Sequence, residues 1–312
     1  MAIIPQQGAT KMCNLCGVVC HVVHDGVLSD RGHRFDIFEC SSCGFQQKAS
    51  EISHDLLVEE VYGNLSFIEK RASADKSRPE RLYIGDYVDG LDRPRAVLEV
   101  GPGAGGNLNY AKQKGHQCFS LDVSDDNNAY FEATFGWDGI YRSFDEIEDD
   151  SFDVIILTHV IEHVESPLPF LQEVYRVLSP EGEIILSTPN GSSLWSIILG
   201  RRWWMYAIDD HFSFFRPRHF HWLASELGIK TVRIWTPNMH SFLTLYRGWR
   251  PVKIDPGVQI KDSDLGGWTL RRAVAKFLAV PMEFLTTPFS WFGLGYEVVV
   301  IFKKPSASGP EA

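Results

Sequence analysis

Val97-Leu98-Glu99-Val100-Gly101-Pro102-Gly103-Ala104-Gly105-Gly106-Asn107 is the stretch that decides the fold. An apolar run of strand character contains one acid and then breaks into closely spaced glycines. Such a turn lets a ligand approach the backbone where a side chain would block it, at the positive end of the following helix. The pattern marks a nucleotide-type cofactor site on an α/β sheet. Gly101, Gly103 and Gly106 satisfy G-x-G-x-x-G, and Asp122 falls 21 residues after Gly101, where a dinucleotide fold would place its ribose acid. Taken alone, the loop does not separate NAD from S-adenosylmethionine.

Working outward from the turn, strand-like and helix-like segments alternate. The patterns predict strands at Ala96–Val100, Gln117–Asp122, Val154–Thr158 and Glu183–Ser187, with helices at Asn107–Lys114 and Pro169–Leu178. This order implies parallel strands joined by right-handed crossovers. Ile229–Trp235 and Tyr296–Phe302 supply the last two strands, the second a nearly continuous apolar run as a buried strand should be. The fold class expected is α/β: a Rossmann-like, doubly wound, mostly parallel seven-stranded sheet preceded by a small cysteine module. The organisation expected is a tail at 1–10, the module at 11–48, a helical connector or lid at 49–94, and the sheet domain at 95–304. Within that domain lie an aromatic segment at 191–222 and a helical insertion at 237–294, and a loose tail follows at 305–312.

Beyond the turn, four stretches occur in a fixed order: Leu98-Glu99-Val100-Gly101-Pro102-Gly103-Ala104-Gly105, Ser120-Leu121-Asp122-Val123-Ser124, Ser151-Phe152-Asp153-Val154-Ile155-Ile156-Leu157 followed by Val160-Ile161-Glu162-His163-Val164, and Glu173-Val174-Tyr175-Arg176-Val177-Leu178-Ser179-Pro180-Glu181-Gly182 leading to Leu186-Ser187-Thr188-Pro189-Asn190. With these motifs residues 95–236 resemble the class I S-adenosylmethionine-dependent methyltransferases, with Glu181-Gly182 where the family usually has Gly-Gly. The resemblance implies S-adenosyl-L-methionine as cofactor. Gly101, Gly103 and Gly105 would then let its methionine part lie against backbone, and Glu99 would support the loop or contact the amino group. Asp122 would accept hydrogen bonds from both ribose hydroxyls. Ser143 and Phe144 would flank the adenine, and Val123, Thr158 and His159 would complete the site. A plainer role for Asp122 is a helix cap or turn residue.

A hydroxyl acceptor needs a base, and histidine suits this near neutral pH. His163, after the fourth strand, and His211 or His219, within Asp209-Asp210-His211-Phe212-Ser213-Phe214-Phe215-Arg216-Pro217-Arg218-His219, are the candidates, with His163 and His211 preferred. His159-x-x-Glu162-His163 also spells a zinc-protease signature. That reading needs one continuous helix, whereas His159 closes an apolar strand. A divalent-metal role for the same cluster is a further alternative. Trp195, Trp203, Trp204, Tyr206, Phe212, Phe214, Phe215, Phe220 and Trp222 form either a stacking wall for an acceptor or a packed cap over the sheet. Arg201-Arg202 would hold an acceptor phosphate or lie in a solvated turn.

The N-terminal region carries Cys13-Asn14-Leu15-Cys16-Gly17 and Cys40-Ser41-Ser42-Cys43-Gly44, with 23 residues between the pairs. Two thiolates at this spacing chelate one side of a tetrahedral ion, and the glycine permits the tight turn around it. The region resembles a zinc ribbon, so Cys13, Cys16, Cys40 and Cys43 are the expected ligands of a structural Zn2+, with no open position for catalysis.

The chain has 312 residues and a formal net charge of −10. That charge disfavours bulk nucleic-acid binding. The N-terminus lacks the pattern of a signal peptide, and Phe277–Tyr296 is too interrupted to span a membrane, so the expected location is cytoplasmic. The expected function is methyl transfer to a small-molecule acceptor, a hydroxyl of a sugar-containing, glycan or secondary-metabolite substrate. An RNA methyltransferase with the ribbon as reader, and a non-catalytic scaffold whose ribbon recruits a protein partner, are the alternatives.

Overall fold

The computed structural model describes residues 11–29, 31–49, 79–238 and 287–306. The expected tail at 1–10, most of the connector at 49–94, most of the insertion at 237–294 and the end of the tail at 305–312 lie outside the described residues. Two sheets organise what is described. The first begins with β1 (Lys11–Met12), β2 (Val19–Leu28), β3 (Arg34–Cys40) and β4 (Gln46–Ala49), paired antiparallel in that order. In β3, Phe35 and Ile37 are buried while Arg34 and Asp36 turn outward, the period-two pattern of a half-buried strand.

After helix α1 (Leu82–Asp89) the chain alternates β5 (Ala96–Val100), α2 (Gly106–Gln113), β6 (Gln117–Leu121), α3 (Asp125–Thr134), β7 (Gly139–Tyr141), β8 (Phe152–Thr158), α4 (Pro167–Val177) and β9 (Leu178–Pro189). Then come α5 (Leu194–Leu199), β10 (Ser213–Phe214), α6 (Pro217–Leu227), β11 (Lys230–Trp235) and β12 (Glu297–Lys303). The second sheet has seven strands in the order β11-β12-β9-β8-β5-β6-β7. β5, β6, β7, β8 and β9 run parallel, and β12 enters antiparallel between β9 and β11. The chain order reverses at β5, whose neighbours are β6 and β8, so the carboxyl ends of these strands open the crevice where such sheets bind ligands.

Local sequence explains the element ends. Ser124 caps α3 by accepting from the Asn127 N–H, and Asp125 and Asp126 sit in its first turn, favoured by the helix dipole. α6 opens with Pro217 and closes on Gly228 in the left-handed conformation. α2 begins behind Gly105 with no side-chain cap, which leaves the turn's backbone uncovered. The sheet core is continuous: Val97, Leu98, Ile155, Ile156, Leu157, Ile184, Ile185, Leu186, Val298, Val299 and Val300 have almost no exposed surface. Each such burial contributes about 1.5–3 kcal/mol before chain entropy is subtracted.

The cysteine region does not stand apart from the larger sheet. β10, which follows β9 by some twenty residues, adds to β4 with Ser213 opposite Gln47 and Phe214 opposite Gln46. Lys48 is buried, lies 4.3 Å over the Phe35 ring, and donates to the carbonyls of Ile208 and Asp209. Arg216 pairs with Glu39, Asn14 Nδ2 donates to the Glu165 carbonyl at 2.8 Å, and His219 Nε2 contacts the Cys43 carbonyl at 3.1 Å. These bonds tie the small sheet to the loop that carries His211.

Candidate functional site

The turn after β5 has the backbone its glycines predict. Gly101, Gly103 and Gly105 have φ of +62°, +57° and +79°. A Cβ on Gly105 would come within 2.7 Å of the Phe135 ring, and one on Gly101 within 3.0 Å of Val160 Cγ2. Side chains are excluded here on both conformational and steric grounds. Glu99 supports the loop from below: its carboxylate accepts from Asn107 Nδ2 at 2.9 Å and from the Leu108 N–H at 3.1 Å. Burial pushes its carboxyl up to about 8 in spite of these donors.

Asp122 stands just past β6, at the neighbouring strand end. Oδ1 accepts from the Ser124 N–H at 2.9 Å and Oδ2 from Asn127 Nδ2 at 3.1 Å. The plainer turn role is therefore real, yet each carboxylate oxygen has a second lone pair for a ligand. Val123 is exposed beside it. Ser143 precedes a short 3-10 turn, and Phe144 packs edge-on to Phe170 at 5.8 Å. Thr158 Oγ1, at the end of β8, is buried with no hydrogen-bond partner among the described residues. An orphaned hydroxyl, a glycine cradle and a carboxylate at the adjacent strand end together fit an adenosyl ligand.

The His159 ring, expected in the cofactor wall, is held between two carboxylates. The backbone there is left-handed, with φ +55°. Nδ1 lies 2.9 Å from Glu162 and Nε2 3.0 Å from Glu297, so both ring nitrogens are committed. Tyr83 donates to Glu297 at 3.0 Å, Arg81 lies 3.6 Å from it, and Thr188 donates to Glu162 at 2.9 Å. Burial opposes the His159 cation, but Glu297 and Glu162 overcome it and raise the imidazole to about 9. Burial alone would raise Glu162, and the three surrounding histidines hold it down to about 2. Because His159 is raised from 6.5 to about 9, its stabilisation is complete below pH 6.5 and fades as pH rises through 9. His159→Gln should therefore flatten the fall in denaturation midpoint between pH 7 and 9; an unchanged slope would show that another group carries it.

His163 and His211 do come together, their rings edge-to-face at 4.8 Å. His163 closes a 3-10 turn, Ile161–His163, so the continuous helix of the protease signature is absent from this segment. His163 Nδ1 lies 2.9 Å from the Asp210 carbonyl and 3.0 Å from its carboxylate. Burial works against the His163 cation, and Asp210 outweighs it, so the imidazole titrates above its ordinary value. His211 is driven down to about 3 by burial and by His163. The Phe212 N–H donates to the Glu162 carbonyl at 2.8 Å and Ser213 Oγ to the Val164 carbonyl at 3.0 Å, fixing one loop on the other. His219 is excluded as a base: it caps α6 through the Arg216 N–H and reaches Cys43 with its other nitrogen.

The aromatic segment is a packed cap. Trp203 is 1% and Tyr206 2% exposed, and Trp195, Phe212, Phe214, Phe215 and Phe220 are buried with them. Their apolar area is spent on packing, which leaves Trp204 and Trp222 as the partly open members. Arg201 and Arg202 lie exposed on a 3-10 turn.

In the small sheet, the four paired cysteines converge. Sγ separations are 3.7 Å for Cys13–Cys43, 3.4 Å for Cys16–Cys40 and 3.5 Å for Cys16–Cys43. Four thiolates about 2.3 Å from a tetrahedral ion would lie roughly 3.8 Å apart, so the cluster fits Zn2+ with little change. The Leu15 and Cys16 N–H groups also point at Cys13 Sγ. Cys20, His21, His24 and His33 lie outside the cluster.

Sequence reasoning missed Asp210, Lys48, Thr188 and Glu297. Glu297 carried a readable signal, a lone acid at the head of the apolar run Val298–Phe302. The others gain their roles only through contacts distant in sequence.

Residues 70–234, more than half of the 312, match a family described as "Methyltransferase domain". Norajmaline N-methyltransferase of Rauvolfia serpentina is 29% identical over 127 residues, covering 37% of this chain and 44% of the relative. A thiol S-methyltransferase of Rattus norvegicus is 41% identical over 64 residues, 19% of this chain and 26% of the relative. The chain thus spans less than half the length of these curated relatives. Among solved structures, phospholethanolamine N-methyltransferase 2 of Haemonchus contortus, in complex with phosphomonomethylethanolamine and S-adenosylhomocysteine, superposes with a TM-score of 0.50. It is 14% identical, covers 84% of this chain and 63% of that one, and shares the fold.

Proposed function

The chain belongs to the methyltransferase-domain family, and from that premise we propose that it transfers the methyl group of S-adenosyl-L-methionine to a small-molecule acceptor. The observation that carries this reading is the pairing of the glycine turn at the end of β5 with the Asp122 carboxylate just past β6. Gly101, Gly103 and Gly105 take the methionine part against backbone, Asp122 accepts from the ribose hydroxyls, and Ser143 and Phe144 flank the adenine. Val123, Thr158 and the backbone at His159 complete the wall.

The bound cofactor supplies a methyl group that is already electrophilic. The protein holds the acceptor in line, excludes water and removes a proton. That proton leaves at the His163–His211 corner, where Asp210 fixes the orientation of the His163 ring. A neutral amine or a thiolate brings its own lone pair, whereas a hydroxyl must lose a proton. A carboxylate-backed histidine therefore favours a hydroxyl acceptor, sugar-containing or of secondary-metabolite type, although the named relatives act on nitrogen and sulfur. We read the four-cysteine cluster as a structural Zn2+ site whose module, 11–48, is built into the enzyme through β10. The reduced thiols suit a cytoplasmic setting, and the charge of −10 argues against RNA as acceptor.

Incubation with methyl-labelled S-adenosylmethionine and a pooled metabolite extract tests the reading. Label should enter a small-molecule fraction; label in RNA, or no transfer at all, would refute it. Asp122→Ala should weaken cofactor binding at least tenfold in calorimetry, since hydrogen bonds to a charged group contribute about 1.5–3 kcal/mol. An unchanged affinity would leave Asp122 with its turn role alone.

A further inference from the structure

Glu162, His163 and His211 each offer one ligand atom, and these atoms all lie within 4.8 Å of one another. We propose that the three bind one divalent first-row metal ion of the zinc class, separate from the four-cysteine site, with open positions toward the acceptor. The proposal rests on the methyl-transfer reading only for the role of the ion, not for its binding.

Two observations besides the clustering point to an ion. His211 is only 6% exposed, and its Nδ1 is buried with no hydrogen-bond partner among the described residues. Buried polar groups without partners are uncommon, and a bound ion is one of their standard explanations. The surroundings also have the form that outer-shell groups take around metal ligands. Histidines that bind metal usually commit their other nitrogen to a carboxylate or carbonyl, and ligating carboxylates are themselves hydrogen-bonded. Here Asp210 holds His163 Nδ1 through both its carbonyl and its carboxylate. Glu162 is held by His159 on one oxygen and by the Thr188 hydroxyl on the other.

The donor set selects the ion. Two imidazoles and one carboxylate suit Zn2+, Co2+ or Fe2+, whereas Mg2+ takes an all-oxygen shell. Tetrahedral donors at about 2.1 Å from an ion lie roughly 3.4 Å apart. The three ligand atoms all lie within 4.8 Å of one another, so they need close by no more than a little over an ångström. His211, whose Nδ1 is not anchored, can make that move by rotating about its side-chain bonds. Three protein ligands leave at least one position open, as in catalytic sites, while the cysteine site is closed. Placed where the acceptor's proton leaves, the ion would polarise the acceptor oxygen and take over the work of a base.

Zinc content of the untagged 312-residue chain, measured after dialysis against buffered Zn2+, tests the proposal. Wild type should carry one more ion per chain than either His211→Ala or Glu162→Gln. Equal zinc content in all three would overturn it. S-adenosylhomocysteine binding by calorimetry checks that the variants are folded and reports on the methyl-transfer reading independently. Wild type that fails to bind that compound but still shows the one-ion difference would sink methyl transfer and keep the metal site. Titration with Co2+ of wild type dialysed down to one zinc per chain, the ion held by the four thiolates, needs no variant: visible bands of nitrogen and oxygen coordination, without thiolate charge transfer, are expected, and their absence would count against the site.

Discussion

His163→Ala should lower turnover by about 10²- to 10⁴-fold, whether the ring takes the acceptor's proton itself or holds the ion that activates the acceptor, while S-adenosylmethionine still binds. The expectation follows from where the side chain sits. His163 closes the 3-10 turn beyond β8, its ring is fixed by Asp210, and it meets the His211 ring edge to face. The cofactor's contacts lie elsewhere, at the β5 turn and beside Asp122. Binding and turnover should therefore separate: calorimetry should show cofactor affinity near wild type, and single-turnover transfer should show the loss. Asp210→Asn should reproduce much of that loss, because an amide cannot favour the imidazolium as a carboxylate does. A His163→Ala protein that turns over like wild type would remove this corner from the reaction.

Stripping metal from the cysteine cluster should have an effect of similar size on turnover, by another route. Binding free energies for structural zinc in small modules are about 10–16 kcal/mol, and that energy is folding energy. The small sheet buries Leu15, Val27, Phe35, Ile37, Phe38 and Phe45 around its four paired cysteines and includes β10, two residues beyond His211. Loss of the ion should therefore loosen β4 and β10 together, and with them the Lys48 bonds to Ile208 and Asp209. The histidine corner would lose its anchorage while the seven-stranded sheet, with its own core, stays folded. Cys40→Ser or chelation should lower turnover by at least 10²-fold and leave S-adenosylmethionine binding largely intact. Full turnover in a chain shown to contain no metal would contradict the structural role of the cluster.

How much of this was legible in the sequence varies by element, for physical reasons. The strand at Ala96–Val100 was readable to the residue because apolar periodicity and a glycine break coincide there. β12 was readable because a strand buried on both faces needs a continuous apolar run. β7, Gly139–Tyr141, was not, since three residues carry no period. β9 begins at Leu178, earlier than its apolar pattern suggests, because α4 hands over directly to extended backbone and Leu178 pairs with Phe152. The cysteine pairs were readable from spacing, but their attachment to the larger sheet was not: a two-residue strand such as β10 is defined by its partner rather than by its own sequence. At the candidate site, the glycines and Asp122 follow from local backbone needs. His159 and Asp210 acquire their partners from Glu297 and His163, 138 and 47 residues away. The aromatic segment was ambiguous because the same rings suit a core and a stacking wall, and only burial separates the two.

The central claim is that the turn at Gly101–Gly105, with Asp122 beside it, holds an adenosyl sulfonium. Calorimetric titration of the purified chain with S-adenosylmethionine and, separately, with NAD tests it most directly. The account predicts saturable binding of S-adenosylmethionine and no binding of NAD; tight binding of NAD with no response to S-adenosylmethionine would contradict it.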